Sequence, residues 1–308
     1  MLALKKVSVN NSTIYRREVR LMGNKFEISV VGNDPVWAGE RINSAITEIN
    51  RVEKLLSTFS EDSDVNTINR NAGVKPVKVS AEIFRLIDRS LQVSELTYGA
   101  FDITYYTPDK ATEDTDIAIA TYTTVNYKDV VLDATATTVF LKEKGMRIGF
   151  GANSKGYAAD RAKYILQLEG VSHGVINAGG DLLTWGLQPD MEPWTVATAD
   201  PRQRAQPFAN VEISNMAVAT SVNTEKYATI NNKKLTTGKA VKNGFTVSEI
   251  KSVSILSPTA EFADAMATPV MAIGVNAGIY LINQLNQVGC VIIDDHNRVY
   301  PSKDITIA

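Results

Sequence analysis

Two alternating runs near the start of the chain, STIYRREVRL (Ser12–Leu21) and NKFEISVVG (Asn24–Gly32), are joined through Met22-Gly23-Asn24. A connection that short makes them a β-hairpin, and it commits the fold to antiparallel pairing from its first elements. The same pattern returns later. KDVVLDATATTVFLKEKGMRIGFG reads as a second antiparallel run, VSHGVINAGGDLLTWG, PWTVATADP, FANVEISNMAVATS and KSVSILSP read as successive strands, and CVIIDDHNRVY as a closing strand. Helices fall between them. From Pro35 to Thr58, Trp37, Ile42, Ile46, Ile49, Val52, Leu55 and Leu56 recur at three- and four-residue spacing, which marks one buried helical face. Ser80 is placed to cap a helix over SAEIFRLIDRSLQVSELTYG, with Gly99 just past its end. Further helices are expected over YAADRAKYILQLEG, TAEFADAMATPVMAIG and NAGIYLINQLNQVG, and a short one within FSEDSDVNTINRNAG. Between Thr107 and Tyr127 the chain is polar, as in a surface excursion. The reading is α+β, antiparallel sheets flanked by helices, with residues 1–308 forming one domain without internal repeats or a linker.

Composition narrows the function. With 32 basic and 34 acidic residues and no basic face beyond Lys233, Lys234, Lys239 and Lys242, the chain does not read as a nucleic-acid binder. Those four lysines read as a solvated hairpin. The single cysteine, Cys290, excludes a disulfide framework and is expected to be buried among apolar residues. No run of 18 apolar residues is present, so the expectation is a soluble, cytoplasmic protein, or an exported or lipid-anchored one if an N-terminal signal was trimmed.

Catalytic signatures are scarce. The two histidines, His173 and His296, are far apart in sequence and belong to no hydrolytic or zinc motif. GFGANSKGYAADRAK (Gly149–Lys163) is neither a Walker loop nor G-x-G-x-x-G. A helix starting near Ser154 would nevertheless aim free N–H groups at an anion, with Lys155 adding a point charge. A tight turn with a solvated lysine fits the spacing equally well. In GVINAGGDLLTWG, Asn177, Gly179, Gly180 and Asp181 sit at a strand end, where a tight hairpin is favoured slightly over a backbone pressed against a ligand. Asp264 and Thr268, four apart on a helix, present a carboxylate and a hydroxyl on one face, a pair able to hold Mg²⁺ if a phosphate and waters complete the shell.

Taken in order, RLMGNKFEI, LLSTFSEDSDVNTIN, GAFDIT, GFGANSKGYAAD, VINAGGDL, PWTVATADP, AVATS and SPTAEFADAMAT resemble the ApbE family, the FAD:protein FMN transferases, over nearly the whole chain. The resemblance implies the following. An ApbE-like α+β fold holds FAD in a cleft with Mg²⁺ on the pyrophosphate. FMN passes to a threonine hydroxyl of a flavin-acceptor protein, and AMP is released. Met22 matches the methionine beside the flavin, and Phe59 the aromatic that stacks near FAD. Ala100, Phe101 and Asp102 match the adenine-site segment, and Lys155 the lysine of the Gly-rich loop. Ala152 matches the residue whose carbonyl ligates the metal, and Asp264 and Thr268 the side-chain ligands.

The sequence departs from the family pattern in two places. In LTTGKAVKNG the family histidine falls on Thr237, a position with both catalytic and flavin-side roles, and the family aspartate on Ala240. Gly149-Phe150-Gly151 replaces the common Asp-Leu-Gly, Asn153 replaces an apolar residue, and Ser154 stands where Gly or Ala is usual. The expected activity is therefore flavin transfer, impaired by these losses. Two other outcomes stay open on the sequence: an FAD or adenine-nucleotide binding protein without catalysis, and a Mg²⁺-dependent FAD pyrophosphatase giving FMN and AMP.

Overall fold

The computed structural model describes residues 5–9, 12–107, 125–200, 203–222, 229–230, 233–234, 250–303 and 305. The chain divides into two compact units, Met1–Ile49 with Lys155–Ala308, and Asn50–Ser154.

The first unit opens with strands β1 (Lys5–Val9), β2 (Ser12–Leu21) and β3 (Asn24–Gly32), followed by helix α1 (Pro35–Leu55), within which the unit boundary falls. The β2–β3 hairpin is the one expected, with Leu21 opposite Asn24. Met22 (φ 50°) and Gly23 (φ 72°) both take positive φ, the form of two-residue turn whose twist suits paired strands. In β3, Phe26, Ile28 and Val30 alternate into the core. Ile42, Ile49, Val52 and Leu56 are buried as the α1 stripe predicts. The helix stops three residues short of Thr58, because the Ser57 hydroxyl accepts the Phe59 and Ser60 amides at 3.2 and 3.0 Å and turns the chain.

The second unit continues with α2 (Asp64–Arg70), β4 (Val77–Lys78), α3 (Ala81–Leu96), β5 (Thr104–Tyr106), β6 (Val130–Asp133), β7 (Thr138–Leu141) and β8 (Met146–Ile148). Ser80 caps α3 as expected, its hydroxyl accepting the Ile83 amide at 3.4 Å. The left-handed residue that ends α3 is Tyr98 (φ 53°), one position before the Gly99 expected there, which is also left-handed (φ 80°). Strands β4, β7 and β6 form one small antiparallel sheet, and β8 pairs with β5 in another. Asn69 ties α2 to β8, donating to the Ile148 carbonyl at 3.0 Å and accepting the Ile148 amide at 2.8 Å.

The first unit resumes with α4 (Ser154–Leu168), β9 (Gly174–Ala178), β10 (Asp181–Trp185), β11 (Thr195–Asp200), β12 (Gln203–Glu212), β13 (Ala217–Val222), β14 (Thr229–Ile230), β15 (Lys233–Lys234), β16 (Ile250–Ser257), α5 (Ala260–Ile273), α6 (Val275–Asn283), β17 (Gly289–Asp294) and β18 (Val299–Pro301). Nine strands make one sheet in the order β1-β2-β3-β9-β10-β13-β16-β17-β18, and each of its neighbouring pairs is antiparallel. Strands β16 and β17 are buried along their whole length, and α5 packs on β13 and β16. The expected closing strand is instead a hairpin: the Asp294 carboxylate accepts the His296 and Arg298 amides, both at 2.9 Å, and reverses the chain between β17 and β18. Helix α6 ends at Asn283, six residues short of the expected run, which ends at Gly289. Lys239 and Lys242 lie outside the described residues.

Candidate functional site

Strand β8 leads into Gly149-Phe150-Gly151-Ala152-Asn153, and α4 begins at Ser154 as anticipated. The Phe150 carbonyl accepts the amides of Asn153 (3.2 Å) and Ser154 (2.8 Å), so two of the N–H groups in this turn are spent on closing it. Ala152 is exposed in the turn, whereas Asn153 is buried, donates to the Ser90 hydroxyl at 3.2 Å and leaves its own carbonyl oxygen without a partner.

The next two residues face an anion, and that anion belongs to the protein. The Lys155 ammonium lies 3.4 and 3.3 Å from the two carboxylate oxygens of Asp264, and the Gly156 amide donates to Asp264 Oδ2 at 3.2 Å. The positive end of the α4 dipole adds to both contacts. A second carboxylate flanks the same ammonium, with Asp181 Oδ2 at 3.7 Å. Asp181 is the first residue of β10, immediately after Gly179 (φ 72°) and Gly180 (φ 112°), so the paired glycines do form the tight hairpin. Its other oxygen, Oδ1, accepts the Thr220 amide of β13 at 3.2 Å. The Met22-Gly23 turn lies at the same end of the sheet, since the Gly179 amide donates to the Lys25 carbonyl at 2.9 Å.

The electrostatics follow from burial. Burial pushes Asp181 up from 3.8 to about 6, reinforced by the neighbouring negative Asp264 and opposed by Lys155. Asp264 is raised for the same first reason, against the pull of Lys155 and the Gly156 amide. Two carboxylates share one ammonium here, leaving a net negative charge on side chains that are only 13, 12 and 22 % exposed for Asp181, Asp264 and Lys155.

Helix α5 supplies the rest of the cluster. Thr268 lies one turn beyond Asp264 on the same face, and its hydroxyl is 3.3 Å from that of Ser221 on β13. The two residues thus offer hard oxygen donors alone, the chemistry Mg²⁺ prefers when a substrate phosphate and waters complete its shell. Among the described residues no group of three or more His, Cys, Asp or Glu could hold a metal ion, so a cation at α5 would rely on this pair. The start of α5 is fixed from elsewhere in the chain: Thr259 makes no side-chain cap, and Asp160 of α4 accepts the Ala260 and Glu261 amides at 2.9 and 2.8 Å. Gly156 makes that approach possible, since a Cβ there would stand 2.2 Å from the Ala260 oxygen.

In the second unit, Phe59 is 92 % exposed on the turn after α1. Ala100 is exposed, the Phe101 ring is buried, and both Asp102 oxygens are occupied, accepting the Thr104 amide at 2.8 Å and the Tyr127 amide at 3.0 Å. Thr237 and Ala240 lie outside the described residues. His173 serves the fold, its Nδ1 accepting the Leu187 amide at 2.8 Å, and His296 is exposed in the β17–β18 turn. Cys290 is buried as expected, and burial pushes its thiol up to about 12. No helix among the described residues is long and apolar enough to cross a membrane. Sequence reasoning placed Asp264, Thr268 and Lys155 but assigned no site role to Asp181 or Asp160. The glycine pair before Asp181 and the acid one turn after Gly156 were the available signals.

Comparison with known proteins agrees with this architecture. The ApbE family matches residues 22–292. An FAD:protein FMN transferase of Klebsiella pneumoniae (strain 342) is 26% identical over 307 residues, covering 94% of this chain and 92% of that protein. The flavin transferase ApbE from Vibrio cholerae superposes with a TM-score of 0.75 at 20% identity, over 98% of each chain. The apo form of the Pseudomonas stutzeri flavinyl transferase ApbE gives 0.77 at 19% identity, over 96% of this chain and 97% of that one.

Proposed function

This chain belongs to the ApbE family, and on that premise we propose that it is a flavin transferase that takes FAD as substrate and moves FMN to a threonine hydroxyl of an acceptor protein. The curated relatives named FAD:protein FMN transferase support the activity class. The observation that carries the reading is the Lys155–Asp264 cluster at the first turn of α4, with Thr268 one turn along α5. Phosphoryl transfer needs positive groups held where a pyrophosphate can meet them, and positioning does most of the rest. Asp264 and Thr268 would hold Mg²⁺, which when bound neutralises phosphate charge and eases departure of AMP; the Ala152 carbonyl is assigned to the same ion on the family resemblance alone. Lys155 contributes a second positive charge. Met22, Phe59 and the Ala100–Asp102 segment are assigned to FAD on the family resemblance.

In the reaction, the acceptor oxygen forms a bond to the phosphorus nearer the flavin, the bridging P–O bond to AMP breaks, and the hydroxyl proton must leave to a base. Thr237 stands where the family histidine would be and cannot take that proton near neutral pH, so turnover is expected to be slow.

The test is to incubate the protein with FAD, Mg²⁺ and a flavin-acceptor domain while following AMP release and protein-bound flavin. AMP together with labelled acceptor is the expected result. AMP with free FMN would identify a pyrophosphatase, FAD binding without AMP a binding protein, and no FAD binding would overturn the reading.

A further inference from the structure

The carboxylate assigned to the cation is already in use. Both Asp264 oxygens approach the Lys155 ammonium, and one of them also accepts the Gly156 amide. A divalent cation and an ammonium cannot share the same two oxygens at close range, because like charges a few ångströms apart in a part-buried site repel strongly. A cation that binds Asp264 and Thr268 must therefore take the carboxylate away from the lysine. Lys155 then has to go somewhere, and a lone ammonium in a site this enclosed is costly without a counter-ion.

The structure provides one. Asp181 Oδ2 stands 3.7 Å from Lys155 Nζ, while its Oδ1 is held by the Thr220 amide at 3.2 Å. The residue is further fixed by its ladder position opposite Ala178 in the β9–β10 hairpin. One oxygen is thus anchored to backbone and the other faces the lysine. Asp181 has no other ion-pair partner among the described residues. The excess negative charge of two carboxylates around one ammonium has a use in this arrangement: it leaves the lysine a partner after Asp264 has been given up.

Resting on the metal assignment of the proposed function, we propose that Lys155 and the incoming cation compete for Asp264, and that Asp181 is the positioning residue that receives the displaced ammonium and keeps it in the site. Lys155 acts as an internal stand-in for the cation. Once displaced, it leaves the carboxylate to the metal and stays in the site beside Asp181, where an anionic substrate can also meet it. The exchange couples the two ligands, since an anion that draws Lys155 away helps the cation bind, and by linkage the reverse holds equally.

The experiment is Mn²⁺ titration of the whole chain without FAD, read from the free Mn²⁺ electron paramagnetic resonance signal. Lys155→Met is expected to tighten Mn²⁺ binding by about tenfold, because the competitor is gone. Asp181→Asn, which keeps an oxygen for the Thr220 amide, is expected to weaken it by about tenfold, because the lysine is left with Asp264 alone. In the Lys155→Met background the Asp181→Asn effect should shrink to within about threefold. An Asp181→Asn effect of equal size in both backgrounds would mean that Asp181 acts on the cation directly, and Lys155→Met that weakens binding would mean there is no competition; either result overturns the inference while the metal assignment stands. Mn²⁺ binding that survives Asp264→Ala, or no binding to either the parent or Lys155→Met, would remove the metal assignment itself and the inference with it.

Discussion

Met22 occupies the left-handed region, at φ 50°, in a turn where Asn or Gly would sit without strain. Holding a flexible apolar side chain at such a position costs of order 1 kcal/mol, a cost that the flavin contact assigned to Met22 would offset. Met22→Asn is therefore expected to raise the melting temperature by roughly 2 °C while weakening FAD binding, read by thermal denaturation and by flavin fluorescence quenching. A variant that gains stability with unchanged FAD affinity would remove Met22 from the flavin side. Thr237 makes the converse case, a position where the expected chemical group is missing. Restoring it with Thr237→His should raise the rate of AMP release by about tenfold or more if proton removal limits turnover, the usual reach of a general base. An unchanged rate in a steady-state AMP assay would place the limiting step elsewhere.

Helices α4 and α5 meet so closely that an added Cβ on Gly156 would stand 2.2 Å from the Ala260 oxygen and 2.5 Å from its carbonyl carbon, backbone atoms that cannot rotate aside. Gly156→Ala should therefore destabilise the protein by about 2–4 kcal/mol and displace Asp264 from the start of α4, seen as a lower denaturation midpoint with helical content retained at low denaturant. Much at this scale was legible in advance. The Ser12–Gly32 hairpin, the Ser80 cap and the shared face of Asp264 and Thr268 follow from local spacing, and local spacing is what a periodic pattern records. The rest depends on partners far along the chain. Asp160 caps α5 across 100 residues, Lys155 meets Asp264 across 109, and neither pairing leaves a period in the sequence. Local spacing allows the start of α4 to be either a place for an anion or a tight turn with a solvated lysine; that Asp264 meets it follows only from how the helices pack. The division of the last strand has a local cause instead: the Asp294 carboxylate accepts the His296 and Arg298 amides and reverses the chain within the polar DDHNR stretch.

At the scale of the whole molecule, the nine-stranded sheet belongs to one compact unit, and the pH response of that unit should carry the mark of the buried Asp160. Burial lifts this carboxyl from 3.8 to about 6, although the Ala260 and Glu261 amides pull the other way. In the unfolded chain it returns to the ordinary value, so between these limits the folded state binds the extra proton. A raised folded value means that its contribution is fully present below pH 3.8 and is lost as pH rises through about 6. Asp181 and Asp264 are also raised and add to the same trend in metal-free buffer, whereas Asp294 is lowered and acts below that window. Unfolding free energy should thus carry a component that falls between about pH 4 and pH 6.5, by up to roughly 3 kcal/mol for Asp160. Asp160→Asn removes the titrating group, and with it that part of the slope. Urea denaturation of parent and variant at pH 4.5 and pH 7, in chelator-treated buffer, checks this: the variant's loss relative to the parent should be larger at pH 4.5 than at pH 7. An equal loss at both values would show that Asp160 binds no extra proton in the folded state, and that the two amides at the start of α5 hold it as a carboxylate throughout the range.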